Sequence, residues 1–340
     1  MKFREAVHEA TMMALEHDPS AFLIGVGVIV HPRGVWHGEV GTPKKFADRV
    51  FEGPLSEDAL TGISIGAATL GLKPILIHAR MDFVLLTVNQ LFNHAAKWRA
   101  MFGYQQSVPM VVMVSVGRAL GNAAQHTQSM HAIFSHIPGI KTVVPSNPRD
   151  AKGLLFAALE DAGPVIYIQH RWLDQDEGTV PSGYYTTPIG KAEVVRSGSD
   201  VTVAAIGTAV GDALKAASAL EKTGLSVEVI DVRTIRPLDH ETIVRSVMQT
   251  GRLVAVDPDW GPCGVAGEII AGVTERAFSY LKRPPLRVVW PEACAPFSES
   301  LEEKFYPGAR EIQEAVASVC GHSYEKESVQ NTVKNLEGPF

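Results

Sequence analysis

Two kinds of segment alternate along this chain. In one kind, such as Ala21–Gly25 and Lys73–His78, most successive residues are apolar. In the other, such as residues 3–17, apolar side chains recur at helical spacing. Short apolar runs separated by amphipathic helices are typical of buried parallel strands with crossover helices. The pattern therefore predicts an α/β protein whose largely parallel sheets are flanked by helices.

The same pattern places the other elements. Further strands are predicted at 48–51, 108–115, 141–145, 165–169, 190–196, 200–206, 226–231, 252–256 and 286–290. Helices are predicted after Ser56 and at 81–101, 148–159, 210–220, 239–250 and 265–280. A polar stretch from 172 to 188 suggests a linker. We expect one domain over 1–185, a second over 186–321, and a mobile tail over 322–340.

Composition removes several classes of function. The formal net charge of −6 offers no basic face for nucleic acid. No apolar run reaches the roughly 18 residues of a membrane span, and no apolar leader opens the chain. The three cysteines form no Cys-x-x-Cys pair, so neither a zinc site nor a disulfide framework is expected. A cytoplasmic protein is the simplest expectation.

One carboxylate lies where a loop meets a helix rich in small residues. Pro54 ends a strand, Ser56 is a good N-cap whose side-chain oxygen can accept from a free amide, and Glu57 lies in the first turn. A first-turn carboxylate ordinarily interacts favourably with the helix dipole and needs no other role. The small residues that follow, from Gly62 to Ala68, favour close packing against a backbone or a ligand.

Other patterns of site residues are weak. The phosphate-binding pattern Gly-x-x-x-x-Gly-Lys-Ser/Thr is absent, and no dinucleotide fingerprint is complete. His126, His131 and His136 recur every five residues, a spacing that does not keep them on one helix face. Residues 26–41 are rich in Gly, His and Trp and suggest a loop near a site, although surface irregularity explains them as well.

A run of motifs resembles one family. They are Pro54-Leu-Ser-Glu-Asp, Gly62-Ile-Ser-Ile-Gly-Ala-Ala, Met81-Asp-Phe, Ala124-Gln-His-Thr-Gln and Pro138-Gly-Ile-Lys-Thr-Val-Val-Pro. In this order they resemble the beta subunits of the thiamine-diphosphate-dependent 2-oxo acid dehydrogenases (pyruvate, branched-chain or acetoin type), members of the transketolase superfamily. Asp231-Val-Arg-Thr-Ile-Arg-Pro-Leu-Asp is similar to the carboxyl-terminal domain that these subunits share with transketolase. The resemblance implies a pyrimidine-binding domain followed by that second domain.

The resemblance also implies roles for single residues. Glu57 would hydrogen-bond a pyrimidine nitrogen of thiamine diphosphate and activate the cofactor. Phe83 would stack on the pyrimidine, with Leu55 and Ala79 also touching the cofactor. His126 would face the substrate as acid, base or oxyanion stabiliser. Without the family, Phe83 could equally be a core residue, and a lone loop histidine is more often structural.

The resemblance extends to metal ions. A monovalent cation such as K⁺ would lie under backbone carbonyls near Met110, Ala158, Leu159, Asp161 and Gly163. The Gly-Asp-Gly motif with which related enzymes hold the diphosphate and Mg²⁺ is missing, and Gly211-Asp-Ala does not replace it. We therefore expect an alpha subunit to hold both, with two alpha and two beta subunits in the assembly.

The chain also departs from the family pattern. Ile24-Gly-Val-Gly27 replaces the usual Ile-Gly-Glu-Asp, and Leu86 lies where some relatives are acidic, so a proton relay between paired sites is in doubt. His78 and Arg80 lie where relatives are often more apolar, and a polar or anionic acceptor could use them.

Three functions remain open. The first is decarboxylation of a 2-oxo acid with transfer of the acyl unit to lipoyl, in which residues 297–305 dock a lipoyl acyltransferase. The second keeps the cofactor but ligates the two-carbon unit to a carbonyl acceptor such as a sugar or aldehyde. The third is a non-catalytic scaffold, against which the presence of Glu57, Phe83 and His126 argues.

Overall fold

The computed structural model describes residues 1–28, 44–118 and 121–322, which form two compact units. Within the described residues, the first unit contains 1–28, 44–118 and 125–189, and the second contains 121–124 and 190–322. Predictions for the loop at 29–43, including Trp36 and His37, and for the tail at 323–340 lie outside the described residues.

The first unit is built on parallel strands. Its elements are α1 (Phe3–His17), β1 (Ala21–Gly25), β2 (Val50–Glu52), α2 (Glu57–Thr69), β3 (Lys73–His78), α3 (Met81–Val84), α4 (Trp98–Met101), β4 (Met110–Val116), α5 (His131–His136), β5 (Lys141–Val143), α6 (Pro148–Glu160) and β6 (Pro164–His170). Within this unit the strand order is β5-β6-β4-β3-β1-β2, and each neighbouring pair is parallel. The carboxyl ends of these strands therefore lie along one edge of the sheet.

The core of this unit lies on the side of the sheet that α1 and α6 cover. These two helices pack against each other, and Phe3, Leu15 and Phe156 are fully buried with residues from the central strands. The hydroxyl of buried Tyr167 donates to the carbonyl of Ala151 at 2.8 Å, so the one polar atom of this large side chain is satisfied. The amphipathic pattern of residues 3–17 thus predicted the correct buried face.

The second unit repeats the α/β plan with a smaller sheet. Its elements are β7 (Glu193–Arg196), β8 (Val201–Ala205), α7 (Ala209–Glu221), β9 (Val227–Asp231), β10 (Thr234–Arg236), α8 (His240–Thr250), β11 (Leu253–Trp260), α9 (Val265–Ala277), β12 (Leu286–Trp290), α10 (Glu299–Phe305) and α11 (Ala309–Cys320). The order is β12-β11-β8-β9-β7, with β7 antiparallel to β9 and the other pairs parallel. The prediction of largely parallel sheets flanked by helices is confirmed.

Two predicted elements differ in detail. The strand expected at 48–51 is β2, and residues 44–49 form a 3₁₀ turn that Arg49 ties to the α1–β1 connection, donating to the carbonyls of Asp18 and Ala21 at 2.9 and 3.2 Å. The single helix expected at 81–101 is wrong. It is divided into α3, a 3₁₀ turn at Leu85–Thr87, a π-helical turn at Asn89–Ala95, and α4.

The interruption of that helix has a local cause. The Thr87 hydroxyl donates to the carbonyl of Val84 at 2.8 Å and competes with the backbone for this acceptor. A wider π-helical turn follows, a form that is rare and often found near functional sites. Periodicity alone does not reveal this, because each segment spans too few residues for the different periods of 3₁₀, α and π helix to be distinguished.

Short elements were missed. Helices α5, α10 and α11 and strand β10 had no counterpart in the predicted pattern. A signal existed for α11, since Ile312, Val316 and Val319 recur at helical spacing and are buried in the second core. None of the helices in the described ranges is long and apolar enough to cross a membrane.

Two histidines end central strands of the first unit and are buried. Burial, together with the nearby His131 and Arg118, lowers the pKa of His170, at the end of β6, to about 3. Burial also lowers the pKa of His78, at the end of β3, to about 4. Both side chains are therefore neutral in the folded protein at pH 7.

We predict that the free energy of unfolding falls as pH drops from about 6.5 towards 4. In this window the unfolded chain binds protons at both histidines and the folded chain does not. Replacing His170 by Asn should make this decline shallower by up to about 1.4 kcal/mol per pH unit. Urea unfolding of the full chain at several pH values measures the free energy of unfolding and its slope with pH. The exposed His136→Asn is the control, and equal slopes for wild type and His170→Asn would contradict the prediction.

Candidate active site

Three predicted site residues follow the carboxyl ends of strands of the same parallel sheet, β2, β3 and β4, of which β3 and β4 are neighbours. Glu57 begins α2 after β2, Phe83 lies in α3 after β3, and His126 follows β4. The rings of Phe83 and His126 meet edge to face, with centroids 5.4 Å apart and planes at 82°. Helix α2 packs against the Leu85–Thr87 turn directly after Phe83. The structure therefore groups these residues at one edge of the sheet, where ligands of parallel α/β folds bind.

The start of α2 has an unusual N-cap. Ser56 is the N-cap residue, as predicted, but the expected side-chain hydrogen bond is wrong because its hydroxyl caps no amide. Its N–H instead donates to the carbonyl of Pro54 at 2.8 Å, and its ψ of 71° departs from the extended backbone of most N-cap residues. The first turn of α2, which carries the partly buried Glu57, is thus not satisfied by Ser56.

A hydroxyl ties Glu57 to the end of β3. Thr61 Oγ1 donates to the carbonyl of Glu57 at 2.7 Å and lies 3.1 Å from His78 Nε2. Because the single hydroxyl proton of Thr61 is committed to Glu57, His78 must donate from Nε2, which leaves Nδ1 without a proton. Nδ1 is buried and has no hydrogen-bond partner among the described residues. The neutral His78 therefore fixes the position of the first turn of α2.

A second connection holds the loop that carries His126. Asp82 Oδ1 accepts from the backbone N of Gln128 at 3.2 Å and from its Nε2 at 2.8 Å. Burial raises the pKa of Asp82, and the Gln128 hydrogen bonds and the charge of His126 act in the opposite direction. Sequence reasoning missed Asp82 and Gln128 as site residues. Their signal was the presence of each within a motif, Met81-Asp-Phe and Ala124-Gln-His-Thr-Gln.

The two further cofactor contacts expected from the sequence differ in setting. Leu55 lies in the loop before α2 and is 81% exposed, so its apolar surface is open to a ligand or partner. Ala79 follows β3 and is partly buried. Its carbonyl accepts from Ser115 Oγ and, at 2.9 Å, from Arg80 Nη1. Both lone pairs of that carbonyl are therefore used within the chain, which leaves the methyl group as the surface for contact.

The residues of the expected cation site lie together at the other edge of the sheet. Met110 begins β4 and pairs with Pro164, while Ala158, Leu159, Asp161 and Gly163 surround the end of α6. The carboxylate of Asp161 is occupied, since Lys141 donates to Oδ2 and the N–H of Gly163 donates to Oδ1 at 2.9 Å. A cation here would depend on backbone carbonyls and would meet the charge of Lys141.

The other residues considered as metal or phosphate ligands do not form a site. His131 is buried and bonded through Nδ1 to Ser129 Oγ at 2.8 Å, whereas His136 is exposed. Gly211 lies inside α7, where Asp212 pairs with Lys215 at 3.3 Å. Over residues 1–28, 44–118 and 121–322, no three His, Cys, Asp or Glu side chains are placed to share a metal ion.

Comparison with known families agrees with this architecture. The family described as "Transketolase, pyrimidine binding domain" matches residues 1–173, and "Transketolase, C-terminal domain" matches residues 190–312. The chain is 40% identical over 324 residues to the acetoin:2,6-dichlorophenolindophenol oxidoreductase subunit beta of Cupriavidus necator, covering 93% of this chain and 96% of that protein.

Other relatives are similar to this chain over most of its length. The pyruvate dehydrogenase E1 component subunit beta of Rhizobium meliloti is 38% identical, over 94% of this chain and 70% of that protein. The 2-oxoisovalerate dehydrogenase subunit beta of Bacillus subtilis is 37% identical, over 94% and 98%. Among solved structures, a split-gene transketolase described as an inactive beta4 tetramer has a TM-score of 0.77 at 22% identity, covering 94% of this chain and 98% of that one. That likeness shows the fold.

We predict that replacing Thr61 by Val destabilises the chain by about 1–3 kcal/mol, because the buried His78 Nε2–H and the Glu57 carbonyl each lose a partner. Chemical denaturation of the full chain measures the change. Thr69 provides a matched control in the same helix, since its hydroxyl donates to the Gly66 carbonyl at an exposed position. Thr69→Val should change stability by less than about 0.5 kcal/mol. Equal effects of the two variants would show that the Thr61 connection is dispensable.

Proposed function

The chain belongs to the transketolase-related beta subunits of the thiamine-diphosphate-dependent 2-oxo acid dehydrogenases, and from that premise we propose that Glu57, Phe83 and His126 form its half of the active site. The observation that carries the proposal is the contact of Phe83 with His126, close in sequence to a turn that packs against α2, the helix whose first turn carries Glu57. These residue types at that edge match the needs of a cofactor with a flat heterocycle and a ring nitrogen to protonate.

The residues present fit the pyrimidine end of the cofactor. Phe83 is 36% exposed and Leu55 more so, which leaves apolar surface that a flat ring would cover. Asp82 Oδ2 is buried and has no hydrogen-bond partner among the described residues, so this edge still offers a polar atom. Ala79 would contribute only its methyl surface.

Each residue has a distinct role in the proposed mechanism. When bound, thiamine diphosphate supplies the carbon nucleophile that attacks a substrate carbonyl. Glu57 would hold a proton against a pyrimidine nitrogen, from a backbone that Thr61 anchors. Phe83 would orient the ring and exclude water from one side of it. His126 would transfer or stabilise charge at the reacting oxygen, with Gln128 and Asp82 keeping its loop in place.

We infer that a second polypeptide completes the site. The chain has no Gly-Asp-Gly motif to hold a diphosphate with Mg²⁺, and two phosphates need such a cation or a helix N-terminus. Several large apolar side chains near α3 and α4 are exposed, among them Leu85, Leu86, Met101 and Phe102. Such a surface suits a subunit interface. The proposed assembly has two alpha and two beta subunits, and the alpha subunit holds Mg²⁺.

The donor and acceptor are also proposals. The relatives' names point to a 2-oxo acid such as pyruvate, or to acetoin, as donor. We propose lipoyl on an acyltransferase as the acceptor, with the exposed Phe297 and Leu301 in the docking surface. Ligation to a carbonyl acceptor is the second candidate, and buried Arg80 near the site favours it. A monovalent cation at the Met110 edge of the sheet is also a proposal.

We predict that Glu57→Gln lowers thiamine-dependent turnover of the alpha–beta complex by about 10²- to 10⁴-fold, because an amide cannot hold the transferred proton. The change is isosteric, so the affinity for the cofactor should fall far less than kcat. Steady-state kinetics and isothermal titration calorimetry measure the two effects. The adjacent exposed Asp58→Asn is the control for loss of a first-turn charge. Equal losses in both variants would return Glu57 to a helix-dipole role.

We also predict that the isolated chain binds thiamine diphosphate weakly and that the complex with an alpha subunit binds it tightly in the presence of Mg²⁺. The isolated chain has the pyrimidine half of the site but no diphosphate motif. Calorimetric titration of each preparation, with and without a chelator, measures this. Tight Mg²⁺-dependent binding by the chain alone would overturn the split-site proposal.

A further inference from the structure

Three arginines follow the carboxyl ends of three adjacent strands. Arg80 comes two residues after β3, Arg118 two residues after β4, and Arg171 directly after β6. The strand order is β6-β4-β3, with His78 paired to Val114 and Val116 paired to His170. If the same register continues for two residues beyond His78, Arg80 lies opposite Val116. The segments that carry the three arginines therefore leave adjacent strands at the edge where Phe83 and His126 meet, and the charge of Arg171 acts on Arg80.

Arg80 is buried without full compensation. It is 6% exposed, and its Nε is buried with no hydrogen-bond partner among the described residues. Nη1 donates to the carbonyl of Ala79 at 2.9 Å. Burial, together with the charge of Arg171, lowers the pKa of Arg80 to about 10. A buried charge is costly unless it is paired, so this arrangement is suited to receiving an anion.

The nearby carboxylates do not fill that role. The charge of Asp82 acts to raise the pKa of Arg80. The Asp82 carboxylate makes no hydrogen bond to Arg80, since Oδ1 accepts from Gln128 and Oδ2 has no hydrogen-bond partner in the described part of the chain. Asp174, the carboxyl group near Arg171, accepts from Gln169 Nε2 at 2.9 Å, and burial raises its pKa to about 6. Both acids are therefore held by amide groups.

The other two arginines are positioned by different contacts. Arg118 stacks over the ring of Trp172, with its guanidinium carbon 4.2 Å from the ring centroid. Stacking on an aromatic ring fixes the plane of a guanidinium group and so the directions of its N–H groups. Arg171 and Trp172 begin a short 3₁₀ turn directly after β6, so the ring that Arg118 stacks on is adjacent in sequence to Arg171. A planar, fixed donor set matches the oxygens of carboxylate or phosphate.

We infer that Arg80, with Arg118 and Arg171, forms a subsite for a second anionic group of the molecule that reacts beside His126. The ligand is a carbonyl compound carrying a terminal oxyanion. Its oxyanion comes either from a phosphate, as in a phosphorylated aldehyde or sugar acceptor, or from a distal carboxylate, as in a dicarboxylic 2-oxo acid donor. The statement that the ligand carries a reacting carbonyl rests on the proposed function. The binding of an anion by the arginines does not.

Anion binding tests the subsite without turnover. The alpha–beta complex saturated with thiamine diphosphate is heated with inorganic phosphate or malonate, against sodium chloride at matched ionic strength. Phosphate, malonate or both should raise the melting temperature of wild type, and the increase should be lost in Arg80→Met and reduced in Arg80→Lys. The exposed Arg245→Met is the control and should keep it. Equal shifts in wild type and Arg80→Met, or no shift in either, would overturn the subsite.

Selectivity identifies the source of the anion and separates the two proposals. Two ratios of kcat/KM are measured in each variant. The donor ratio compares 2-oxoglutarate with 2-oxobutyrate, and the acceptor ratio compares glyceraldehyde 3-phosphate with glyceraldehyde. One ratio should fall about 10- to 100-fold in Arg80→Met, because a charged hydrogen bond is lost. Unchanged ratios in an active complex overturn the subsite alone. Arg80-dependent anion binding in a complex without thiamine-dependent turnover supports the subsite and overturns the proposed function.

Discussion

The parallel pairing of β3, β4 and β6 is the constraint on which the site depends. In this arrangement the carboxyl ends of three strands lie side by side, and the segments that leave them carry Phe83, His126 and Arg171. Antiparallel pairing would send alternate ends to opposite edges. A shift of one residue in register would turn each strand side chain to the other face of the sheet. The continuous burial of β4 and β6 on both faces stabilises the observed pairing.

The edge created by this pairing contains polar groups that are costly to bury. His78 and His170 avoid the cost by staying neutral, and Asp82 reduces it by accepting two hydrogen bonds from Gln128. Arg80 remains charged near neutral pH, and its Nε has no hydrogen-bond partner within the described ranges. Interiors with so many ionisable groups contribute little to stability, and they are characteristic of sites that bind and transform ligands.

The proposed site is one half of a complete active site. The first unit has a carboxylate at a helix start, an aromatic ring and an imidazole, but the sequence has no motif for a diphosphate with its metal ion. The segment that carries Phe83 also exposes Leu86, which is 61% accessible where some relatives have an acid. Val26 is likewise apolar, so a relay of protons through these two positions has no ionisable group to use. Glu57 would then act without such a relay, with its backbone held in place by Thr61 and, through Thr61, by His78.

The sequence by itself determined the fold class and the order of most strands and helices, and it supplied the three residues of the proposed site. Those features depend on local periodicity and on short motifs, which are readable without knowing what lies nearby in space. Tertiary structure alone decided that Phe83 touches His126, that Gln128 supports Asp82 from 46 residues away, and that Thr61 connects Glu57 to His78. It also divided the helix predicted at 81–101. The physical reason is that hydrogen bonds and burial between distant segments depend on how strands pair, whereas periodicity records only which face of each segment is buried.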